Sequence, residues 1–187
     1  MSLAAAATWA GPDGKRSAAL GWLESVPGRR PEPNRQACEL FTGDGAAFVA
    51  LGSYETLARV RDRVAAWRDF QLATTRCKVA AFREFAHGVA GAWSALAANA
   101  AGELCTVEAR GGVARVTTQD DVWAIGRRCE TAFESLAGSL HEHERGSPGA
   151  AVGEAINDAF LAAPREWGGS QVLLLPELVT VAADWGR

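Results

Sequence analysis

Residues 103–118 read ELCTVEARGGVARVTT, two runs of alternating apolar and polar residues on either side of Gly111-Gly112. Paired glycines supply the positive φ angles of a two-residue hairpin turn, the geometry that matches the twist of the flanking strands. Folding the runs about that turn sets Arg110 opposite Val113, Glu108 opposite Arg115 and Val107 opposite Val116. Opposite charges then meet on one face and apolar side chains on the other, so turn chemistry and register agree. The stretch predicts an antiparallel hairpin, and with it a fold that contains a sheet.

A second hairpin is expected upstream, in QACELFTGDGAAFVAL at 36–51, with Gly43-Asp44-Gly45 as a three-residue loop. A shift of 67 residues carries Cys38 to Cys105, Leu40 to Val107, Gly45 to Gly112 and Val49 to Val116, which suggests an internal ββα(α) pseudo-repeat. Helices follow each hairpin. Ser53 can cap one from Tyr54 to Phe70, with Leu57, Val60, Val64 and Trp67 on its buried stripe and Glu55 four residues before Arg59. A second is expected from Lys78 to Ala101, carrying Phe82, Phe85, Val89, Trp93 and Leu96 on one face and His87 on the other. A third is read from Asp120 to Glu144, opened by Thr118 and Asp121 in the form of a capping box. Ser147-Pro148 starts a fourth, which reaches Ala163.

Val172 to Leu175 reads as a strand buried on both faces, and the tail ELVTVAADW at 177–185 fits strand or helix equally. The fold class is therefore α+β, an antiparallel sheet built from two hairpins and a C-terminal strand, with helices packed on one face. Residues 1–34 are expected to be an N-terminal arm, with a short helix from Arg16 to Glu24 and the Pro-rich connector VPGRRPEPNR at 26–35 running out of it. Residues 35–187 form a single α+β domain.

With 187 residues, 48% of them hydrophobic and 22% charged, the chain can bury a full core without staples. A net charge of −3 gives no positive field for phosphate backbones, which argues against nucleic acid as partner. The apolar start MSLAAAATWAG is too short for a membrane span, and the four single cysteines suit a reducing cytoplasm. No phosphate loop, complete dinucleotide glycine motif, nucleophile elbow or HExxH is present. No cofactor is expected.

HEHE at 141–144 holds two of the three histidines. On a continuous helix, residues two apart point about 200° apart, so His141 and His143 cannot share one ion and are weak metal candidates. His87, His143 and Glu144 are the candidates for acid/base chemistry, with Glu84 able to partner His87. Cys77 and Cys129 are weaker candidates as nucleophiles. Seven tryptophans against one tyrosine point elsewhere: Trp123 lies off the main stripe of its helix, Trp167 and Trp185 lie in or near loops, and all three suit an interface. The function expected is that of a non-catalytic cytoplasmic protein, of chaperone, immunity or regulatory type, binding a partner protein through a Trp-bearing surface, with a homodimer possible. The alternative is a small enzyme or ligand-binding protein, with a small apolar ligand in a Trp-lined pocket and His87 or His143 as its polar group.

Overall fold

The structure is a computed structural model that describes residues 2–10, 14–25, 36–43, 46–66, 79–99, 101–141, 147–165, 167–175 and 179–182. It is an α+β fold in which two five-stranded antiparallel sheets pack face to face, with helices over both outer faces. One sheet has the order β10-β9-β2-β1-β8, from β1 (Ser2–Ala10), β2 (Arg16–Ser25), β8 (Val122–Gly126), β9 (Trp167–Leu175) and β10 (Val179–Ala182). The other has the order β3-β4-β5-β6-β7, from β3 (Gln36–Gly43), β4 (Ala46–Ser53), β5 (Trp93–Asn99), β6 (Leu104–Arg110) and β7 (Val113–Gln119).

Both expected hairpins exist and share the second sheet, joined through β5. The β6–β7 register is Arg110↔Val113, Glu108↔Arg115 and Val107↔Val116, and Gly111 and Gly112 take φ of 59° and 80°, as the paired-glycine turn requires. In β3–β4, Gly43 pairs directly with Ala46, so the connection is shorter than the three residues expected; residues 44 and 45 lie outside the described residues. A ββα repeat does not continue past the second hairpin, because β7 leads into β8 of the other sheet before any helix.

Alanine hid the first sheet from pattern reading. Residues 2–25, expected to be an irregular segment and a short helix, are instead β1 and β2, the middle of that sheet. Ala4 and Ala6 face the opposing sheet beside Leu20, Trp22, Val49 and Leu96, while Leu3 and Ala5 face the helices. A strand covered on both sides shows no apolar/polar alternation, and alanine favours helix in isolation. The connector at 26–35 lies outside the described residues.

Two further corrections have the same cause. The helix expected from Lys78 to Ala101 is α2 (Val79–His87) followed by β5, separated at Gly91, whose φ is 115°. Trp93, Ala95 and Ala97 turn to the helices while Leu96 and Ala98 turn to the other sheet, so β5 is apolar on both faces. The helix expected from Asp120 is β8 followed by α3 (Cys129–His141), with positive φ at Gly126 and Arg128 breaking the chain between them. The stripe Cys129, Ala132, Leu136 and Leu140 does pack inward as expected.

The remaining helices follow their local signals. In α1 (Tyr54–Ala66) the Ser53 hydroxyl accepts from Thr56 N at 3.2 Å, Leu57 and Val60 are buried, and Arg59 pairs with Glu55 at 2.5 Å. In α4 (Pro148–Leu161) Ser147 caps Ala150 N and Pro148 occupies the first turn. α1 and α2 cover the β3–β7 sheet through Leu57, Val60, Phe82 and Phe85, each contributing roughly 1.5–3 kcal/mol by burial. α3 and α4 cover the β1 sheet, and α4 comes close enough that a Cβ at Gly21 would lie 2.5 Å from Val152 Cγ1 and 2.8 Å from Ile156 Cγ1. No helix among the described residues is long and apolar enough to cross a membrane.

Candidate active site

Alternation along β1 decides where Ser2 points. It has the parity of Ala4 and Ala6, so its side chain enters the space between the two sheets, at the end of the sandwich where β1 begins. Ser2 is 2% exposed, and its Oγ is buried with no hydrogen-bond partner of acceptable geometry among the described residues. A buried hydroxyl without a partner costs about 1–3 kcal/mol, so such a group calls for an explanation.

Its surroundings are held by backbone. The Ser2 carbonyl accepts from Arg127 N at 3.0 Å, and Gly126 presses so closely that a Cβ there would collide with the Ser2 carbonyl oxygen and Leu51 Cδ1. With φ of 99° at Gly126 and 59° at Arg128, the turn at 126–128 is a strained clamp on the start of β1. Across β2, Glu24 is the strand partner of Ser2 and is exposed.

From the opposing sheet, Cys38 on β3 approaches the same point. Burial pushes its thiol up to about 12, the Glu24 carboxylate adds to that rise, and the Ser2 hydroxyl and the chain's amino terminus act in the opposite sense. Ser2 thus influences the Cys38 thiol although its Oγ meets no hydrogen-bond criterion. The Cys38 thiol is directed at Leu23 O, 3.8 Å away. It is a neutral neighbour, unable to serve as a thiolate near pH 7.

A cleft of about 280 Å³ opens at this end of the sandwich, lined among others by Gln36, Leu51, Trp93, Ser94, Glu108 and Arg110. Leu51 belongs both to the cleft wall and to the packing around Gly126, so the cleft lies next to the clamp that holds the Ser2 carbonyl. The strand partners Cys38, Leu51, Ser94, Glu108 and Arg115 form one row across the sheet, leading from Ser2 into the cleft.

The residues singled out in the sequence lie elsewhere or are engaged. His87 ends α2 and its Nδ1 accepts from Ala114 N at 3.2 Å beside the Gly111-Gly112 turn, so it braces the hairpin and does not line the cleft. Glu84 is exposed on α2. His143, Glu144, Cys77 and Trp185 lie outside the described residues, and of His141 only the backbone, at the end of α3, is described. No three His, Cys, Asp or Glu side chains converge on a metal site among the described residues. Trp167 is 4% exposed and donates from Nε1 to Ala159 O, so it packs the core instead of waiting for a partner. Trp123 is half-buried and stacks edge-on against Phe133 of α3. Cys129 is partly buried with its thiol raised by that burial, the reverse of an activated nucleophile. Among the described residues the cleft is lined by polar and apolar side chains alike, with Trp93 its one aromatic wall, and is not the Trp-lined apolar pocket of the alternative expectation.

Ser2 was missed because nothing in SLAAAATWA marks its serine. The signal it offered was position alone, a hydroxyl at the start of a strand, and that becomes visible only once the strand is recognised.

A helix layer, two facing antiparallel sheets and a second helix layer define the class to which this chain's fold belongs. No known protein family matches the sequence, and no curated protein does. Solved structures match the fold over nearly the whole chain. Thiobacillus denitrificans BPH in complex with epoxomicin gives a TM-score of 0.68 at 11% identity, covering 92% of this chain and 97% of that one. A second structure of that BPH gives 0.68 at 10% identity with the same coverage. HslV from Trypanosoma brucei gives 0.57 at 17% identity, covering 91% of this chain and 98% of that one. The fold is thus shared with BPH and HslV. That likeness overturns the expectation of a non-catalytic partner-binding protein, which rested on the absence of sequence motifs.

Proposed function

We propose that the chain is a hydrolase of peptide bonds whose nucleophile is Ser2, with the α-amine of the same residue as general base. The observation that carries this reading is the Ser2 hydroxyl, buried and without a hydrogen-bond partner among the described residues, at the start of β1 near the cleft-lining Leu51. The shared fold with BPH and HslV supports it.

The chemistry requires that the bond before Ser2 be cut, since only then is the amine free. A terminal amine has an ordinary pKa of about 7.7–8.0 and is unprotonated in a useful fraction near neutrality, so it can accept the Oγ proton. Ser2 Oγ attacks the scissile carbonyl carbon, the proton passes to the amine, and the amine returns it to the leaving nitrogen as the C–N bond breaks. Water then hydrolyses the Ser2 ester by the reverse proton path. Glu24, opposite Ser2 on β2, is placed to hold the amine when it is protonated. Neither Cys38, which is neutral, nor Lys15, beside the β1–β2 turn at the opposite end of these strands, supplies another base.

Intact mass and peptide cleavage test the reading together. The expected protein begins at Ser2 and cleaves fluorogenic peptides with a rate that rises with pH through about 8. Ser2→Ala should lose activity by about 10³-fold or more. Epoxomicin, the compound bound in one BPH structure, should raise the melting temperature of the wild type and not of Ser2→Ala. A protein with a free Ser2 amine that cleaves no peptide and ignores epoxomicin would end the proposal. Self-association as a homodimer belongs to the same proposal, and native mass spectrometry would report it as twice the chain mass.

A further inference from the structure

Leu104 and Thr106 of β6 are buried between the sheets, whereas Glu108 and Arg110, which have the same parity, are exposed and line the cleft. Ser94 stands between Leu51 and Glu108 in the row of strand partners that starts at Cys38. The cleft floor is therefore polar along β5 and β6, and apolar at Leu51, next to the clamp on Ser2.

Its polar side is unpaired. Ser94 is half-buried, and its hydroxyl, the Glu108 carboxylate and the Arg110 guanidinium make no hydrogen bond or ion pair among the described residues. Arg115, across from Glu108 on β7, lies beyond the cleft lining. Ser94 and Glu108 are strand partners, and Arg110 follows Glu108 on the same face about 7 Å further along β6. A group that only accepts, a group that only donates and a hydroxyl that does either are thus held side by side on a sheet. The two charges of the lining balance, so it favours neither sign.

We propose that the cleft is a subsite for a primary carboxamide, the side chain of a glutamine or asparagine in the substrate peptide. Its NH2 group donates to Glu108, its carbonyl accepts from Arg110, and Ser94 bonds to either. This rests on the hydrolase reading. A carboxamide offers two donors and an acceptor with no net charge, which is the complement of this lining. A lysine would suit Glu108 and be repelled by Arg110, and a glutamate would do the reverse. A leucine would strip water from both charges with no hydrogen bond to replace it. The volume of about 280 Å³ lies just below the usual range of ligand pockets and admits one long side chain. Three strand spacings, roughly 14 Å, separate Cys38, beside Ser2, from β6. An extended peptide covers that distance in about four residues, so the carboxamide is read about four positions from the scissile bond.

Binding and cleavage are measured apart. Labelled peptides of one length, neutral but for a single position placed in turn along the sequence as Gln, Glu, Lys or Leu, are bound to Ser2→Ala, which cannot turn over, and offered to the wild type for cleavage. At the favoured position the Gln peptide should bind at least about fivefold tighter than each of the other three. In the Ser2→Ala background, Arg110→Gln should pass the advantage to the Lys peptide and Glu108→Gln should pass it to the Glu peptide, both at an unchanged melting temperature because both sites are exposed. Equal binding of Gln and Leu peptides, tightest binding of Glu or Lys peptides, no binding of any peptide, or a Gln preference that survives both substitutions would overturn the inference. Cleavage by the wild type with no preference for Gln in binding would refute it and leave the hydrolase standing. Selective binding of Gln peptides with no cleavage by the wild type would leave carboxamide recognition and refute the hydrolase.

Discussion

Cys38 and Cys105 show how burial changes what a residue can do. Both thiols are raised to about 12, each chiefly by burial, Cys38 further by Glu24 and Cys105 further by Glu103. The folded state thus prefers their protonated forms more than the unfolded chain does. Their stabilisation is fully present below the ordinary value of 9.0 and is lost as pH climbs from there to about 12. Denaturant titrations between pH 8 and pH 11 should show stability falling with pH, and a Cys38→Ala, Cys105→Ala double variant should show a shallower fall; identical slopes would contradict this. The sequence made both cysteines legible as small buried hydrophobes. It could not show that Cys38 stands beside Ser2, because that contact joins the starts of strands in different sheets. His87 illustrates the opposite error, a residue conspicuous by type whose ring nitrogen is spent on Ala114 N.

Local signals located the elements that begin and end sharply. The Gly111-Gly112 turn, the Ser53 cap and the Ser147-Pro148 start are where the sequence places them, since each depends on neighbours within a few residues. Strands β1, β2, β5 and β8 were read as helix or as irregular, because alanine and double-sided burial erase the two-residue period. What sets their type is the layer on each side, and that is tertiary information. Gly21 measures how tightly one such layer fits. Its missing Cβ leaves room for Val152 and Ile156 of α4. Gly21→Val should force the helix outward against strand β2 and destabilise the protein by about 1–3 kcal/mol. Urea denaturation would show this as a lower midpoint at an unchanged slope, and an unshifted midpoint would mean that the layers are looser than they look.

At the scale of the molecule, the α+β class and the antiparallel pairing were legible, whereas the division into two sheets was not. The decisive fact is that β1 lies between β2 and β8, and no local pattern announces a partner so far along the chain. The candidate site inherits this: Ser2, Glu24, Cys38 and the 126–128 turn come from four segments that meet only in the finished sandwich.

The same strand order has a consequence during synthesis. β1 and β2 can pair as soon as both have left the ribosome, but the other edge of β1 stays open until Val122–Gly126 emerges. Elongation at roughly 5–20 residues per second makes that interval several seconds or longer. Through it, an almost uninterrupted alanine ribbon exposes unpaired amides to any other chain nearby. The nascent protein therefore has a period in which a holding chaperone, or a slow partner strand of its own, decides between folding and aggregation. The candidate site, too, is incomplete before β8 closes that edge, because the turn at 126–128 that holds the Ser2 carbonyl follows directly from β8.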